Sequence, residues 1–286
     1  MGVSCHAGIV MIHLLGPTSI VGFNLARLFP DEIQPICTSQ STLAVARVWP
    51  RLNLQDQVAV AQLFRDIHPT HVLYADAICD VPQCEKNDEW AWQVNVLNLE
   101  NVLAVLPKET RLVYLSSDHV FGGDGHYNER SDPCPISAYG RTRVAAEQRV
   151  LVRPGSLVIR AGLPIGPSID GRTGHLDWLR YRHRQGLPIT IIQDEFRSAV
   201  WVEDLARRLM RMIQSPLTGI RHISAQRVIS RPELANFLNE KFTIGNTFQL
   251  ISRHAQSYPH IGHVGLETGY QDEWAAPLPS VVSLLQ

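Results

Sequence analysis

The chain has 286 residues, 45% apolar and 19% charged, enough to fill a sizeable core and ordinary for a globular protein. Its 26 basic and 27 acidic side chains leave a formal charge of −1, so no basic footprint points to nucleic acid or an anionic membrane. No apolar run approaches the roughly 18 residues of a membrane span. Met1–Gly8 lacks the apolar core and small-residue cleavage site of a signal peptide. The five cysteines (Cys5, Cys37, Cys79, Cys84 and Cys134) are odd in number and form no C-x-x-C pair, which argues against a disulfide framework and for a cytoplasmic protein.

Ile9–Leu15 reads as a short strand ending at Gly16, and Val21, Leu25 and Leu28 then recur at helical spacing until Pro30. Ile33–Cys37 is a second strand, and Val60, Leu63, Phe64 and Ile67 mark a second helix. His71–Ala75 is a third strand. Trp92, Val96, Leu99, Leu103 and Leu106 form a long helical stripe stopped by Pro107, and Arg111–Ser117 is the fourth strand. This alternation predicts an α/β fold, a Rossmann doubly wound parallel sheet with right-handed crossovers. Such sheets bind ligands at the carboxyl ends of their strands.

Residues 118–137 are polar and turn-rich, and a helix is expected from Ala138 to Val150. Ser156–Ala161 and Pro188–Gln193 read as further strands. Ser230-Arg-Pro-Glu233 is a helix start, with a serine cap, Pro in the first turn and Glu three residues on. Residues 247–286 show weak periodicity. The expected division is an NAD(P)-binding Rossmann domain over 1–161 with parts of 188–225, and a smaller C-terminal α/β substrate-binding lobe from 162–187 and 226–286.

Gly16-Pro-Thr-Ser-Ile-Val-Gly22 joins the first strand to the first helix. A dinucleotide needs a tight turn there, with backbone N–H groups at the helix start facing the pyrophosphate. Gly16 permits the turn, Gly22 allows close helix–sheet packing, and Thr18 and Ser19 lie between them. Ser19 stands where a middle glycine is usual; its hydroxyl is a candidate partner for a phosphate oxygen. The next region, Ile36-Cys37-Thr38-Ser39-Gln40, has no acid to bond ribose hydroxyls, which favours NADP over NAD.

Ser117 ends the fourth strand, and Tyr139 and Arg143 lie one helical turn apart 22 residues later. A phenol, a cation and a strand-end hydroxyl suit carbonyl reduction, in which hydride reaches carbon and a proton reaches oxygen. A cation about 5 Å from the phenol, at an effective dielectric of about 20, contributes roughly 3 kcal/mol. Arg143 is therefore expected to draw the Tyr139 pKa from about 10 toward neutrality.

On these segments the chain resembles the extended short-chain dehydrogenase/reductases, and most of all the dTDP-4-dehydrorhamnose reductase family. The resemblance rests on GPTSIVG at 16–22, ADAICDVPQCEKNDEWAWQVN at 75–95, YLSSDHVFGGDGHYNERSDPCPISAYGRTRVAAE at 114–147 and IIQDEFRSAVWVEDLARRL at 191–209. It implies an NAD(P)-dependent reductase of a 4-keto sugar nucleotide or similar carbonyl compound, with a small-molecule substrate, and a second copy or another protein as a candidate partner. By it, Ser117 and Tyr139 take the catalytic hydroxyl positions, and Ser19, Ile20 and Val21 the phosphate loop. Ala75, Asp76 and Ala77 lie where the cofactor passes the third strand. Asp118 matches a substrate-contacting position, with His119 where the family commonly has tyrosine.

Three departures stand out. Arg143 replaces the family's lysine, which also bonds the nicotinamide ribose; arginine is longer and planar. Leu163 replaces an aromatic residue, and Ser198-Ala-Val200 lacks the usual proline. The family also includes non-reductases such as the regulatory β subunit of methionine adenosyltransferase. The alternative is thus a catalytically impaired nucleotide-binding regulator or scaffold.

Other clusters have plainer readings. Arg180, Arg182, His183 and Arg184 fit either a phosphate clamp or a last helical turn before Gly186. Asp194-Glu195 fits a substrate contact or a solvated loop. His68 with His71, and Cys79 with Cys84, lack a full ligand set, so no metal is expected.

Overall fold

A computed structural model of the chain describes residues 10–38 and 43–283. In order, the first half forms β1 (Ile12–Leu15), α1 (Ile20–Leu28), β2 (Ile33–Ile36), α2 (Gln57–Ile67), β3 (His71–Tyr74), α3 (Val81–Lys86), α4 (Asp88–Trp92), α5 (Asn98–Val105) and β4 (Arg111–Ser117). Ile9, read as the first residue of β1, lies outside the described residues. Next come β5 (Gly125–Tyr127), α6 (Ala138–Leu151), β6 (Leu157–Ala161), β7 (Leu163–Ile165), α7 (His175–Arg184), β8 (Thr190–Ile192), β9 (Phe196–Arg197) and β10 (Ala199–Trp201). The chain continues through α8 (Val202–Ile213), β11 (Gly219–Ile223), β12 (Ile229–Ser230), α9 (Arg231–Lys241), β13 (Gln249–Ile251) and β14 (His263–Leu266).

Among the described residues, six strands form one parallel sheet in the order β11-β6-β4-β3-β1-β2. The inner strands β1, β3, β4 and β6 are buried on both faces, so alternation sorts their side chains between two cores. Ile12, Leu14, Leu73, Val113 and Ile159 pack with Val21 and Leu25 of α1 and Leu205 and Leu209 of α8. Tyr74, Leu112, Tyr114 and Val158 face the other way, onto Val60 and Phe64 of α2, Leu99 of α5, and Ala146 and Val150 of α6. Tyr114 thus lies under α6, with Tyr74 beside it. The chain runs from β1 out to β2 and then crosses back to β3. The resulting switch point between β1 and β3 opens a crevice at their carboxyl ends, beside Gly16 and Asp76.

The long stripe before Pro107 is not one uniform helix. Between α4 and α5, Gln93–Leu97 takes π-helical geometry, a widened turn that recurs at functional sites. The remaining elements form small sheets, β12-β9-β14-β5, β10-β7 and β13-β8. Leu163, Leu176, Leu179, Ile191, Leu234 and Leu238 make a core of their own there. Strands as short as β13 and β14 are too brief for a period to show, hence the featureless sequence beyond residue 247. No helix among the described residues is long and apolar enough to cross a membrane.

Candidate active site

The Gly16 turn is built for close approach. Gly16 has φ +91°, and a Cβ there would lie 2.5 Å from the Asp76 backbone nitrogen. A Cβ on Gly22 would lie 2.3 Å from the Gly16 carbonyl oxygen. The loop is thereby pressed onto the end of β3 by two residues that must lack side chains. Ser19 caps α1: its hydroxyl accepts from Gly22 N at 3.1 Å and donates to Gly16 O at 2.9 Å. In this arrangement the Ser19 proton is directed to the Gly16 carbonyl. The N–H groups of Ile20 and Val21, as the first helical residues, have no intrahelical acceptor. A pyrophosphate fits this donor set.

Ser137 caps α6 by accepting from Gly140 N at 3.0 Å. A Cβ on Gly140 would lie 2.3 Å from the His119 carbonyl oxygen, so glycine lets the start of α6 close onto the segment after β4. Tyr139 and Arg143, both buried, face that junction. Arg143 Nε donates to the Tyr139 hydroxyl oxygen at 3.0 Å, and its Nη1 donates to the Tyr114 hydroxyl oxygen at 2.6 Å. The guanidinium also lies over both rings, 5.2 and 5.5 Å from their centroids. Ser117 stands beside the Tyr139 phenol, donates to Asp118 Oδ1 at 3.0 Å and accepts from His119 N at 3.3 Å.

Burial pushes the Tyr139 pKa up, and Arg143 pulls it back only in part, so the net shift is upward. This corrects the expected drop toward neutrality, which counted the cation and omitted desolvation. Burial likewise carries the Tyr114 phenol up to about 12. Both phenols therefore hold their protons at neutral pH, the state a proton donor requires.

Asp118 is fully buried and takes two hydrogen bonds from Arg197, Nε to Oδ2 at 2.6 Å and Nη2 to Oδ1 at 2.5 Å. Arg197 Nη1 reaches Glu195 Oε1 at 3.2 Å, and Glu195 also meets Arg231 Nη1 at 3.5 Å and His260 Nδ1 at 3.3 Å. Glu195 is thus the centre of a buried ionic cluster rather than part of a solvated loop. Asp194 instead accepts from Ser252 Oγ and Arg253 N. The His119 ring meets the Tyr139 ring edge-on at 5.2 Å, and its buried Nδ1 has no hydrogen-bond partner among the described residues.

Two residues here escaped sequence reasoning. Asn95, buried in the π-helical turn, accepts from Ile78 N at 2.8 Å and donates to Thr142 Oγ1 at 2.9 Å. Thr142 Oγ1 in turn donates to the Tyr139 carbonyl at 2.7 Å, which ties the segment after β3 to the first turn of α6. The only signal was a polar residue inside an apolar stripe. Tyr114 was the other; strand alternation alone could have put it under α6. The basic run ends α7 as the plainer reading holds, with Arg182 Nε on the Pro188 carbonyl at 2.7 Å, Arg180 over Phe242, and Gly186 at φ +62°.

Burial lowers the pKa of several histidines, among them His175, His119 and His222, the last two pushed down to about 4. His222 Nδ1 lies 2.8 Å from the Glu267 carbonyl and so donates, while Nε2 faces Arg160 Nη1 at 3.5 Å and accepts. Unfolded histidine titrates near 6.5. A lowered folded pKa means stability that is present above about pH 6.5 and lost as pH falls toward 4, because only the unfolded chain takes up the protons. Each group adds a slope of at most about 1.4 kcal/mol per pH unit. The urea midpoint is expected to drop steadily across that window, and less so in His222→Asn; a flat midpoint would refute the assignment.

Comparison with known proteins agrees with this geometry. The family model described as RmlD substrate binding domain matches residues 10–260. A dTDP-4-keto-6-deoxy-D-glucose reductase of Streptomyces niveus is 26% identical over 222 residues, covering 72% of this chain and 70% of that protein. Methionine adenosyltransferase 2 subunit beta of Xenopus laevis is 29% identical over 70% of this chain, which spans 63% of its length. The crystal structure of dTDP-4-dehydrorhamnose reductase from Bacillus anthracis in complex with NADP superposes with a TM-score of 0.79 at 21% identity, covering 94% of this chain and 95% of that one, a likeness of fold. With a matched span that takes in the Gly16 loop, the Ser117–Tyr139–Arg143 junction and most of the smaller sheets, the chain belongs to the RmlD substrate-binding domain family.

Proposed function

We propose that the protein is an NAD(P)-dependent reductase of a 4-keto sugar nucleotide or a similar carbonyl compound. The observation that carries this is the Tyr139 hydroxyl held by Arg143 Nε at 3.0 Å beside the strand-end Ser117. Because Arg143 donates to the phenol oxygen, the phenol's own proton is free to be given away. A substrate carbonyl oxygen within reach of Tyr139 and Ser117 takes that proton as the carbonyl carbon is reduced, and the Arg143 cation stabilises the phenolate left behind. The reduced nicotinamide supplies the hydride when bound. Ser117 must turn its single proton from Asp118 to the substrate oxygen to assist.

Gly16, Thr18, Ser19, Ile20, Val21 and Gly22 would hold the pyrophosphate, with Ala75, Asp76 and Ala77 lining the groove and Arg143 and Tyr139 nearest the reacting end. Asp118 and His119 border the substrate side. Along the chain, the end of β2 carries no acid, which by itself leaves room for the 2′-phosphate of NADPH. The test is turnover of a panel of 4-keto sugar nucleotides with either reduced dinucleotide, followed by loss of the reduced nicotinamide and appearance of the alcohol. Tight dinucleotide binding with no turnover across the panel would sink the reductase reading.

That outcome favours a second one, which the likeness to the methionine adenosyltransferase β subunit supports: a nucleotide-binding regulator. In that case Arg143→Lys leaves reductase activity absent.

A further inference from the structure

Rossmann folds tell NAD from NADP at the carboxyl end of β2, where an acid accepts hydrogen bonds from the ribose hydroxyls and repels a 2′-phosphate. Sequence around Thr38 contains no such acid. The fold supplies one from elsewhere. Thr38 Oγ1 donates to Asp76 Oδ1 at 2.8 Å, so a carboxylate carried on the end of β3 stands beside the end of β2. Its place is fixed, because the Asp76 backbone is in contact with the Gly16 turn. Asp76 Oδ2 accepts no hydrogen bond from any described residue, and the residue is partly exposed. Arg143, the cation whose field reaches Asp76, directs Nε and Nη1 to two phenols and forms no ion pair with it within 4 Å.

We propose that Asp76 is the acceptor for the adenosine ribose hydroxyls and makes this protein select NADH over NADPH. This rests on the dinucleotide reading above and reverses the preference that the β2 segment suggests alone. Oδ1 is held by Thr38, and Oδ2 is left to accept from a ribose hydroxyl. A 2′-phosphate at the same point would set two anions against each other in a half-buried groove, where screening by water is weak.

The experiment is a parallel fluorescence titration of the intact protein with NADH and with NADPH, for wild type, Asp76→Asn and Thr38→Val. Wild type is expected to bind NADH at least about tenfold more tightly, a difference of about 1.4 kcal/mol. In Asp76→Asn the ratio should collapse to within about threefold through tighter NADPH binding, and Thr38→Val should fall between. If Asp76→Asn does not fold, added salt gives the second readout: NADPH binding to wild type should gain relative to NADH as ionic strength rises. Equal affinities or an NADPH preference in wild type, or an unchanged ratio in Asp76→Asn, overturns the role of Asp76 and leaves the dinucleotide reading standing. Binding of neither dinucleotide overturns both.

Discussion

Tyr139→Phe is expected to lower turnover of a keto substrate by at least about 10²-fold, the smallest usual contribution of a positioned general acid. Dinucleotide affinity should stay within about threefold, since the ring and its contact with His119 remain. The change removes one oxygen and leaves the buried Arg143 Nε–H without its acceptor. An unsatisfied buried donor costs about 1–3 kcal/mol, so a modest fall in the thermal midpoint accompanies the lost turnover. The two effects separate by measuring kcat well below the variant's unfolding range. Equal kcat in wild type and variant would remove Tyr139 from the chemistry. A loss confined to KM would make it a binding group instead.

The Tyr114 hydroxyl explains how an arginine is seated at this position, where the resemblance implies lysine. A guanidinium reaches further than an ammonium and needs several acceptors. In this protein the far end of Arg143 is held by the Tyr114 hydroxyl while Nε stays on Tyr139. The extra reach is thus absorbed within the sheet–helix interface. In Tyr114→Phe this anchor disappears, and the guanidinium is freed at one end.

What could be read along the chain was whatever lies close together in it. The strand–helix alternation was legible because each short apolar run is bounded by Gly, Pro or a capping Ser or Asp. The pairing of Tyr139 with Arg143 was legible because four residues make one helical turn. The partners that decide the site's electrostatics are far apart in sequence: Tyr114 and Arg143 by 29 residues, Thr38 and Asp76 by 38, Asp118 and Arg197 by 79. No periodicity reports such pairs. The Tyr139 pKa shows the same limit, since the favourable charge was visible in the spacing while the burial that outweighs it depends on the packed fold.

The Arg197–Asp118 pair carries the largest expected effect on stability. Arg197 is 5% exposed and Asp118 0%, and the guanidinium joins β9 to the segment that follows β4. Asp118 and Glu195 together hold the Arg197 cation in its charged form against the cost of burial. In Arg197→Met the buried Asp118 carboxylate loses its cation, while Glu195 keeps Arg231 and His260. Breaking such a pair from one side costs about 3–5 kcal/mol. For a chain of this size that corresponds to a thermal midpoint lower by roughly 6–20 °C. Asp118→Asn should cost less, because the amide oxygen still accepts one bond and Glu195 still pairs Arg197. The double variant Asp118→Leu/Arg197→Met should recover part of the loss, since removing both members removes the unpaired charge on Asp118. An Arg197→Met midpoint within about 2 °C of wild type would mean that water or another cation replaces the guanidinium, and that the pair does not join the two layers. Asp118 also accepts the Ser117 proton. Asp118→Leu should therefore release that hydroxyl, and a change in kcat that disappears when Asp118→Leu is combined with Ser117→Ala reports the Ser117 hydroxyl.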